Sequence, residues 1–116
     1  MELQHFAPKE FEHYGEMSPK LGRMLDDTRH ILNDKIIITG SWRRSTGKRT
    51  SAHQLGPDGY WEAIDIRCSE SRARFLLVSA AYLAGFRRIG IYDKHLHLDV
   101  QDEGTDQDVC WIGISK

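Results

Sequence analysis

The chain is poor in the features that would assign it at once to a specialised class of protein. Its 116 residues include only two cysteines, Cys68 and Cys110, which lie far apart and outside any C-x-x-C pattern. A thiolate zinc site or a disulfide framework is therefore not expected. Two thiols in a reducing compartment are favoured, and one bridge stays open if their strands are neighbours. No hydrophobic run approaches the length of a membrane span, so no transmembrane segment is expected.

The chain also lacks an excess of either charge. Sixteen Lys and Arg residues face 17 Asp and Glu residues, for a formal net charge of −1. This balance gives no indication of a polyanionic partner, and no nucleic acid binding is expected. The densest basic stretch, residues 43–50, lacks the spacing of a phosphate-binding loop and is interpreted as a solvated loop.

The N-terminus has no basic segment followed by an apolar stretch, so no signal peptide is predicted. This is compatible with synthesis in a cytoplasm, with export by another route, or with a mature form whose signal has been removed. The length and composition are those of one globular domain spanning residues 1–116, and a monomer is expected.

The hydrophobic periodicity predicts an α+β fold. Ser18 and Pro19 have the residue types of a helix start, and the helical spacing continues to Asn33; a second helix is predicted from Glu70 to Ala84. Strands are predicted at residues 36–39, 60–68, 88–92, 96–100 and 109–114. Residues 40–59 form a long loop of the kind that is often functional. We expect an antiparallel sheet packed with two main helices.

The segment from His95 to Val100 alternates strictly between polar and apolar residues. Because a strand sends successive side chains to opposite faces, His95, His97 and Asp99 should share one face. Three titratable groups in a row perturb one another unless a cation or a substrate uses them. A solvated strand face with two chance histidines is the alternative interpretation.

A second strand supplies a carboxylate in an unusual setting. Asp65 lies among small and apolar residues, where a half-buried carboxylate needs a partner, either a metal or one of the nearby arginines. With His53 and His97, it would complete two imidazoles and one carboxylate, a ligand set of catalytic zinc sites that leave a position open for water. Asp58 is a rival ligand, but its Gly-Pro-Asp-Gly setting indicates an exposed turn.

Taken in order, these motifs resemble the M15 family of zinc D-Ala-D-Ala carboxypeptidases and endolysin peptidases, especially its small, phage-type branch. The resemblance covers most of the chain from about Phe11. The segments that carry it are Ile38-Thr39-Gly40-Ser41-Trp42-Arg43, Ser51-Ala52-His53, Glu62-Ala63-Ile64-Asp65-Ile66, residues 86–92, His97-Leu98-Asp99-Val100 and Val109-Cys110-Trp111.

The resemblance implies the hedgehog/DD-peptidase fold and a zinc peptidase that cleaves a bond of the peptidoglycan stem peptide. Carried over position by position, His53, Asp65 and His97 would bind Zn²⁺, and Arg43 would contact the substrate and steady the oxyanion. Asp93 or His95 would act as general base. Ser51 and Asp99 would support the ligands from behind. A phage or prophage origin is implied, with action on the cell wall after release.

The chain departs from the family pattern in three places. The spacing from His53 to Asp65 is longer than usual, which indicates an insertion within residues 54–61. Lys94 stands where many members carry an acidic general base, and Glu62 replaces a glycine. A protonated lysine cannot substitute for a carboxylate base. The sequence therefore leaves three hypotheses: a zinc peptidase, a non-catalytic zinc-stabilised binding or phage structural module, and a metal-free α+β domain.

Overall fold

A computed structural model describes residues 1–102 and 104–114. Two α-helices and five strands account for the regular structure of these residues, after two single 3₁₀ turns at Pro8–Glu10 and Tyr14–Glu16. In chain order they are α1 (Pro19–Leu32), β1 (Ile38–Gly40), β2 (Ala63–Arg67), α2 (Ser71–Leu83), β3 (Arg88–Ile91), β4 (His95–Asp99) and β5 (Val109–Ile112). The predicted α+β class and both predicted helices are confirmed, while the strands are mostly shorter than predicted.

Local chemistry explains where the helices begin and end. The Ser18 hydroxyl accepts a hydrogen bond from the Leu21 amide at 3.3 Å, and the last turn of α1 closes on Asn33 in the left-handed region, at φ 53°. In α2 the cap is the Glu70 carboxylate, which accepts bonds from two first-turn amides. Gly85 follows α2 with a φ of 109°, a conformation that favours glycine.

The sheet is mixed, so the expectation of an antiparallel sheet is wrong in one strand. The strand order is β1-β2-β4-β3-β5, and β5 runs parallel to β3 while the other pairs are antiparallel. The reason lies in the connection after β4. Arg88, the first residue of β3, pairs with both Asp99 at the end of β4 and Val109 at the start of β5. The chain therefore passes around β3 at one end of the sheet and enters β5 in the direction of β3.

The alternation predicted for β4 is confirmed. Leu96 and Leu98 are fully buried and, with Ile64 and Ile66 of β2, form the face of the sheet that packs in the hydrophobic core. The helices supply Leu21, Leu25, Leu77 and Ala81 to the same core. The opposite face carries Asp65 of β2 and the β4 residues His95, His97 and Asp99.

Two further expectations concern cysteines and membranes. Cys68 is buried, Cys110 is exposed, and both are free thiols. Within the described residues, no helix combines the length and the apolar character needed to cross a bilayer.

Candidate metal centre

One row of residues crosses the whole sheet and forms the floor of the site. Each strand contributes one residue through its pairing register: Gly40 of β1 pairs with Asp65 of β2, Asp65 with His97 of β4, His97 with Gly90 of β3, and Gly90 with Trp111 of β5. Directly paired residues on antiparallel strands point to the same face of the sheet. Asp65 and His97 are thereby brought side by side, although 32 positions separate them in sequence.

The glycines on both sides of this pair leave room for the functional groups. A Cβ atom on Gly40 would lie 2.8 Å from Asp65 Oδ2, and one on Gly90 would lie 2.6 Å from the Trp111 ring. The Trp111 ring instead leans across Gly90, and its centroid lies 5.5 Å from that of His97. An aromatic wall thus closes the β5 side of the row.

His53 reaches the row from the long loop between β1 and β2. Its Nε2 atom lies 3.3 Å from Asp65 Oδ1, and His97 Nδ1 lies 3.1 Å from the same oxygen. The three ligand atoms all lie within 4.8 Å of one another. Asp58, the rival ligand, accepts a bond from the Tyr60 amide within an exposed turn of that loop and is not part of this group.

Both imidazoles are oriented by acceptors behind them. His53 Nδ1 lies 2.7 Å from the Ser41 carbonyl oxygen, and His97 Nε2 lies 2.8 Å from Asp99 Oδ2. When these nitrogens carry the protons, His53 Nε2 and His97 Nδ1 present their lone pairs towards Asp65. Outer acceptors of this kind set the tautomer and ring orientation of metal-binding histidines.

Asp99 is itself held in place. It is 2% exposed, and its Oδ1 atom accepts bonds from Arg88 Nε at 2.7 Å and from the Gln101 amide at 3.1 Å. Arg88 also donates to the Asp106 carbonyl oxygen at 2.7 Å and lies over the Trp111 ring. The support behind His97 therefore extends to the connection that leads into β5.

The mutual contacts of these groups shift their proton affinities. Burial by itself raises the pKa of the Asp65 carboxyl, but its interactions with His53 and His97 outweigh burial and hold the pKa well below its usual range. Burial lowers the pKa of His97, but hydrogen bonds to Asp65 and Asp99 dominate and raise it to about 9. Burial likewise raises the pKa of Asp99, and its bonds to His97 and Arg88 reverse the direction and lower it.

His95 lies at the edge of this group. Its Nε2 atom is 3.9 Å from Asp65 Oδ1, and its ring stacks on Tyr92 with centroids 4.4 Å apart. A quarter of the side chain is exposed. His95 thus shares the face predicted for it, close enough to the carboxylate to meet a molecule bound beside the ligands.

The other residues predicted for the site lie farther from its centre. Ser51 Oγ accepts a bond from the backbone amide of His53 at 3.2 Å, so it supports the turn and not the ring. Arg43 donates its backbone amide to the His53 carbonyl at 2.9 Å, while its side chain is exposed. Asp93 is exposed in the turn between β3 and β4, where its carbonyl accepts a bond from Arg74.

Sequence reasoning missed two contributors to this centre. The Ser41 carbonyl orients His53, and Arg88 holds Asp99. A backbone carbonyl leaves no signal in a sequence. The register that pairs Arg88 with Asp99 is a property of two strands together.

Two of the three separations within the donor set can be compared with those of a metal site. Tetrahedral coordination at zinc–nitrogen and zinc–oxygen distances of about 2.0–2.1 Å separates neighbouring ligand atoms by about 3.3 Å. The separations of His53 Nε2 and His97 Nδ1 from Asp65 Oδ1, 3.3 and 3.1 Å, are of this size. This group of His53, Asp65 and His97 could hold a metal ion.

The arrangement has a chemical consequence. Three protein ligands leave at least one coordination position for water or substrate, and this openness distinguishes catalytic from structural zinc sites.

Comparison with protein-family models, with curated proteins and with solved structures gives no match for this chain.

Proposed function

We propose that the chain is a zinc-dependent hydrolase of the M15 peptidase type, acting on a peptide bond of the peptidoglycan stem. One observation carries this proposal. Two imidazoles, each backed by its own acceptor, present their remaining nitrogens to one carboxylate oxygen at 3.1 and 3.3 Å. Rings that are backed by outer acceptors and converge on one partly buried carboxylate are typical of histidines that bind a metal.

Zinc bound there supplies a polarised water of lowered pKa. His53, Asp65 and His97 would hold the ion, and the hydrogen bonds from behind would fix which nitrogen of each ring is available. Asp99 would accept a hydrogen bond from the protonated Nε2 of His97 throughout. The residues named in the sequence resemblance therefore receive defined tasks.

A general base must sit beside the attacking water. His95 suits this role better than Asp93, because its ring lies on the site face, 3.9 Å from Asp65, whereas Asp93 is exposed in the adjoining turn. The stack on Tyr92 would restrain the His95 ring while it takes and returns a proton. Lys94 is exposed as well and is not needed for this role.

The M15 resemblance assigns substrate binding to Arg43. Arg43, whose side chain is exposed in the same long loop as His53, would reach the substrate carbonyl or carboxylate and share the negative charge of the oxyanion. Asp65 and His97 lie on the face of the sheet opposite the core, where 15% and 14% of their side chains are exposed to an approaching substrate. A formal net charge of only −1 suits a substrate that is chosen by local contacts.

A second candidate is a non-catalytic module in which the metal only stabilises the domain. Lys94 at the usual general-base position favours this alternative. Both candidates require the metal, and only the first requires His95.

The test begins with elemental analysis of wild type, His97→Ala and the control His30→Ala, each purified without added metal. His30 is exposed on α1, so its loss should not affect metal content. We expect about one zinc per chain in wild type and control and none in His97→Ala. Folded wild type that neither contains nor takes up zinc would contradict the proposal.

Activity separates the two candidates. Wild type and His95→Ala, both loaded with zinc, are incubated with purified peptidoglycan fragments, and the released amines are counted. Hydrolysis by wild type that falls at least a hundredfold in His95→Ala supports the peptidase. Full zinc occupancy without any hydrolysis favours the non-catalytic module.

A further inference from the structure

The loop that carries His53 has no regular secondary structure, yet His53 is only 3% exposed and its ring is aimed at Asp65. A metal ligand on a loop needs a rigid support, because a displacement of about 1 Å already weakens such a site. Other residues must therefore hold the turn around His53 in place.

Arg49 holds this turn through hydrogen bonds from its guanidinium group. Its Nε atom donates to the carbonyl oxygens of Ser51 and Gln54, both at 3.2 Å, and its Nη2 atom donates to the Ala52 carbonyl at 3.4 Å. One guanidinium thus binds three carbonyls that flank His53 in sequence. The His53 carbonyl itself is taken by the Arg43 amide.

Glu62 connects this turn to the sheet. Its carboxylate accepts a bond from Arg49 Nη2 at 2.8 Å, in an ion pair whose side chains are only 20% and 16% exposed. The Glu62 backbone accepts from the Val100 amide and donates to the Ala52 carbonyl. Glu62 stands three residues before Asp65, so the ion pair joins the turn of one ligand to the strand of another.

The surrounding residues fit this pair closely. A Cβ atom on Gly56 would lie 2.7 Å from Arg49 Nη1 and 3.2 Å from Glu62 Oε1, so a side chain at this position would force the guanidinium to shift. Gln54 is 8% exposed, and its side chain accepts from the Thr50 amide at 2.7 Å and donates to the Arg44 carbonyl at 3.1 Å. The basic stretch is therefore partly a structural support.

We propose that Arg49 and Glu62 form a clamp that positions His53 for metal binding, an inference that rests on the proposed metal site. The pair joins the turn that carries His53 to the strand that carries Asp65. Arg49 and Glu62 are positioning residues and touch neither metal nor substrate.

The experiment compares zinc affinity among Arg49→Met, Arg49→Lys, Glu62→Gln and the control Glu10→Gln, by competition with a chelating dye. Glu10 pairs with Arg29 at 3.6 Å, with comparable partial exposure, and lies in the N-terminal 3₁₀ turn. We expect affinity to fall about 10- to 100-fold in Arg49→Met and about tenfold in Glu62→Gln, with no change in the control. Arg49→Lys should recover only part of the loss, because an ammonium group cannot serve three carbonyls and a carboxylate in the geometry of a guanidinium.

Two further measurements distinguish positioning from a general loss of stability. The absorption spectrum of the Co²⁺-loaded protein should change in Arg49→Met and stay unchanged in the control, since it reports ligand geometry in folded molecules only. Hydrogen exchange of the Gln54 and Glu62 amides, which bond to carbonyls of the turn, should accelerate at least tenfold in metal-free Arg49→Met.

The outcomes separate this inference from the proposed function. Wild type that binds zinc, with Arg49→Met binding equally well and giving the same Co²⁺ spectrum, overturns the clamp and leaves the metal site intact. Wild type that binds no metal overturns the proposed function. In that case, faster exchange of the Gln54 and Glu62 amides in Arg49→Met would show that the clamp holds the turn. Unchanged exchange of these amides would overturn the clamp as well. Arg49→Met with Glu62→Gln should be no worse than Arg49→Met alone.

Discussion

Under the proposed function, zinc binding to this centre would displace a proton from His97. In the metal-free protein, His97 Nδ1 lies 3.1 Å from Asp65 and Nε2 lies 2.8 Å from Asp99, and these bonds raise its pKa to about 9. Zinc needs the lone pair of Nδ1, so the ion and the proton compete for one atom. The apparent zinc affinity should therefore rise with pH until His97 is neutral.

The size of the effect follows from that pKa. At pH 7, two units below a pKa of about 9, roughly one His97 in a hundred is neutral, which weakens zinc binding about 100-fold, or about 2.7 kcal/mol. The logarithm of the affinity should gain about one unit per pH unit between pH 7 and 8.5. Asp65 adds no slope there, because its pKa lies far below this range.

The assay is a competition titration against a chelating dye of known pH dependence, at half-unit steps from pH 7 to 9.5. Asp99→Asn provides the internal comparison, because it removes one of the two carboxylates that raise the pKa of His97. Its profile should level off at a lower pH than that of wild type. Its affinity above pH 9 should be about tenfold weaker, because an amide orients His97 less firmly than a carboxylate does.

A profile that is flat between pH 7 and 8.5 would refute the reasoning. A zinc-bound water that ionises in this range adds to the slope and cannot flatten it. An Asp99→Asn profile that levels off at the same pH as wild type would show that Asp99 is not what holds the proton on His97.

Two further predictions concern the metal-free protein and the space around Asp65. The pKa of His97 rises from 6.5 to about 9 on folding. The contribution of His97 to the free energy of unfolding is therefore complete below about pH 6.5 and is lost as the pH rises through 9. Urea unfolding with a chelator present should show a decrease of about 3 kcal/mol between pH 6.5 and 9.5, and a constant stability would contradict this. Gly40→Ala places a Cβ atom 2.8 Å from Asp65 Oδ2 and should weaken zinc binding roughly tenfold. The control is Gly15→Ala, whose Cβ atom meets nothing within 4 Å and should leave the affinity unchanged. Equal zinc affinities of the two variants in a dye competition would contradict the prediction.

Much of the centre was predictable because it depends on short periods within single strands. The alternation of β4 places His97 and Asp99 on one face, since every second side chain of a strand points the same way. Asp65 stood out as a carboxylate among apolar neighbours in β2. The Ser18 cap and the αL residue Asn33 set the limits of α1 through contacts within one helical turn.

Other features depend on how distant segments meet. The direction of β5 follows from a connection that stays at one end of the sheet, and nothing within residues 109–112 encodes that path. The length of the segment between His53 and Asp65 is visible in the sequence, but the support of the His53 turn by Arg49 and Glu62 needs a folded loop. The sequence predicts no supporting role for either residue. Arg49 lies in a basic stretch that is interpreted as a solvated loop, and Glu62 stands out only as a departure from a motif.

The sequence by itself determined which residues can serve as ligands and which face of β4 they occupy, because residue identity and a period of two are local properties. Only the tertiary structure decided that Asp65 faces His97, that Asp99 and the Ser41 carbonyl stand behind the two rings, and that His53 lies 3.3 Å from the shared carboxylate. Strand register and loop closure are set by contacts across the whole domain, and no short segment contains the partners that fix them.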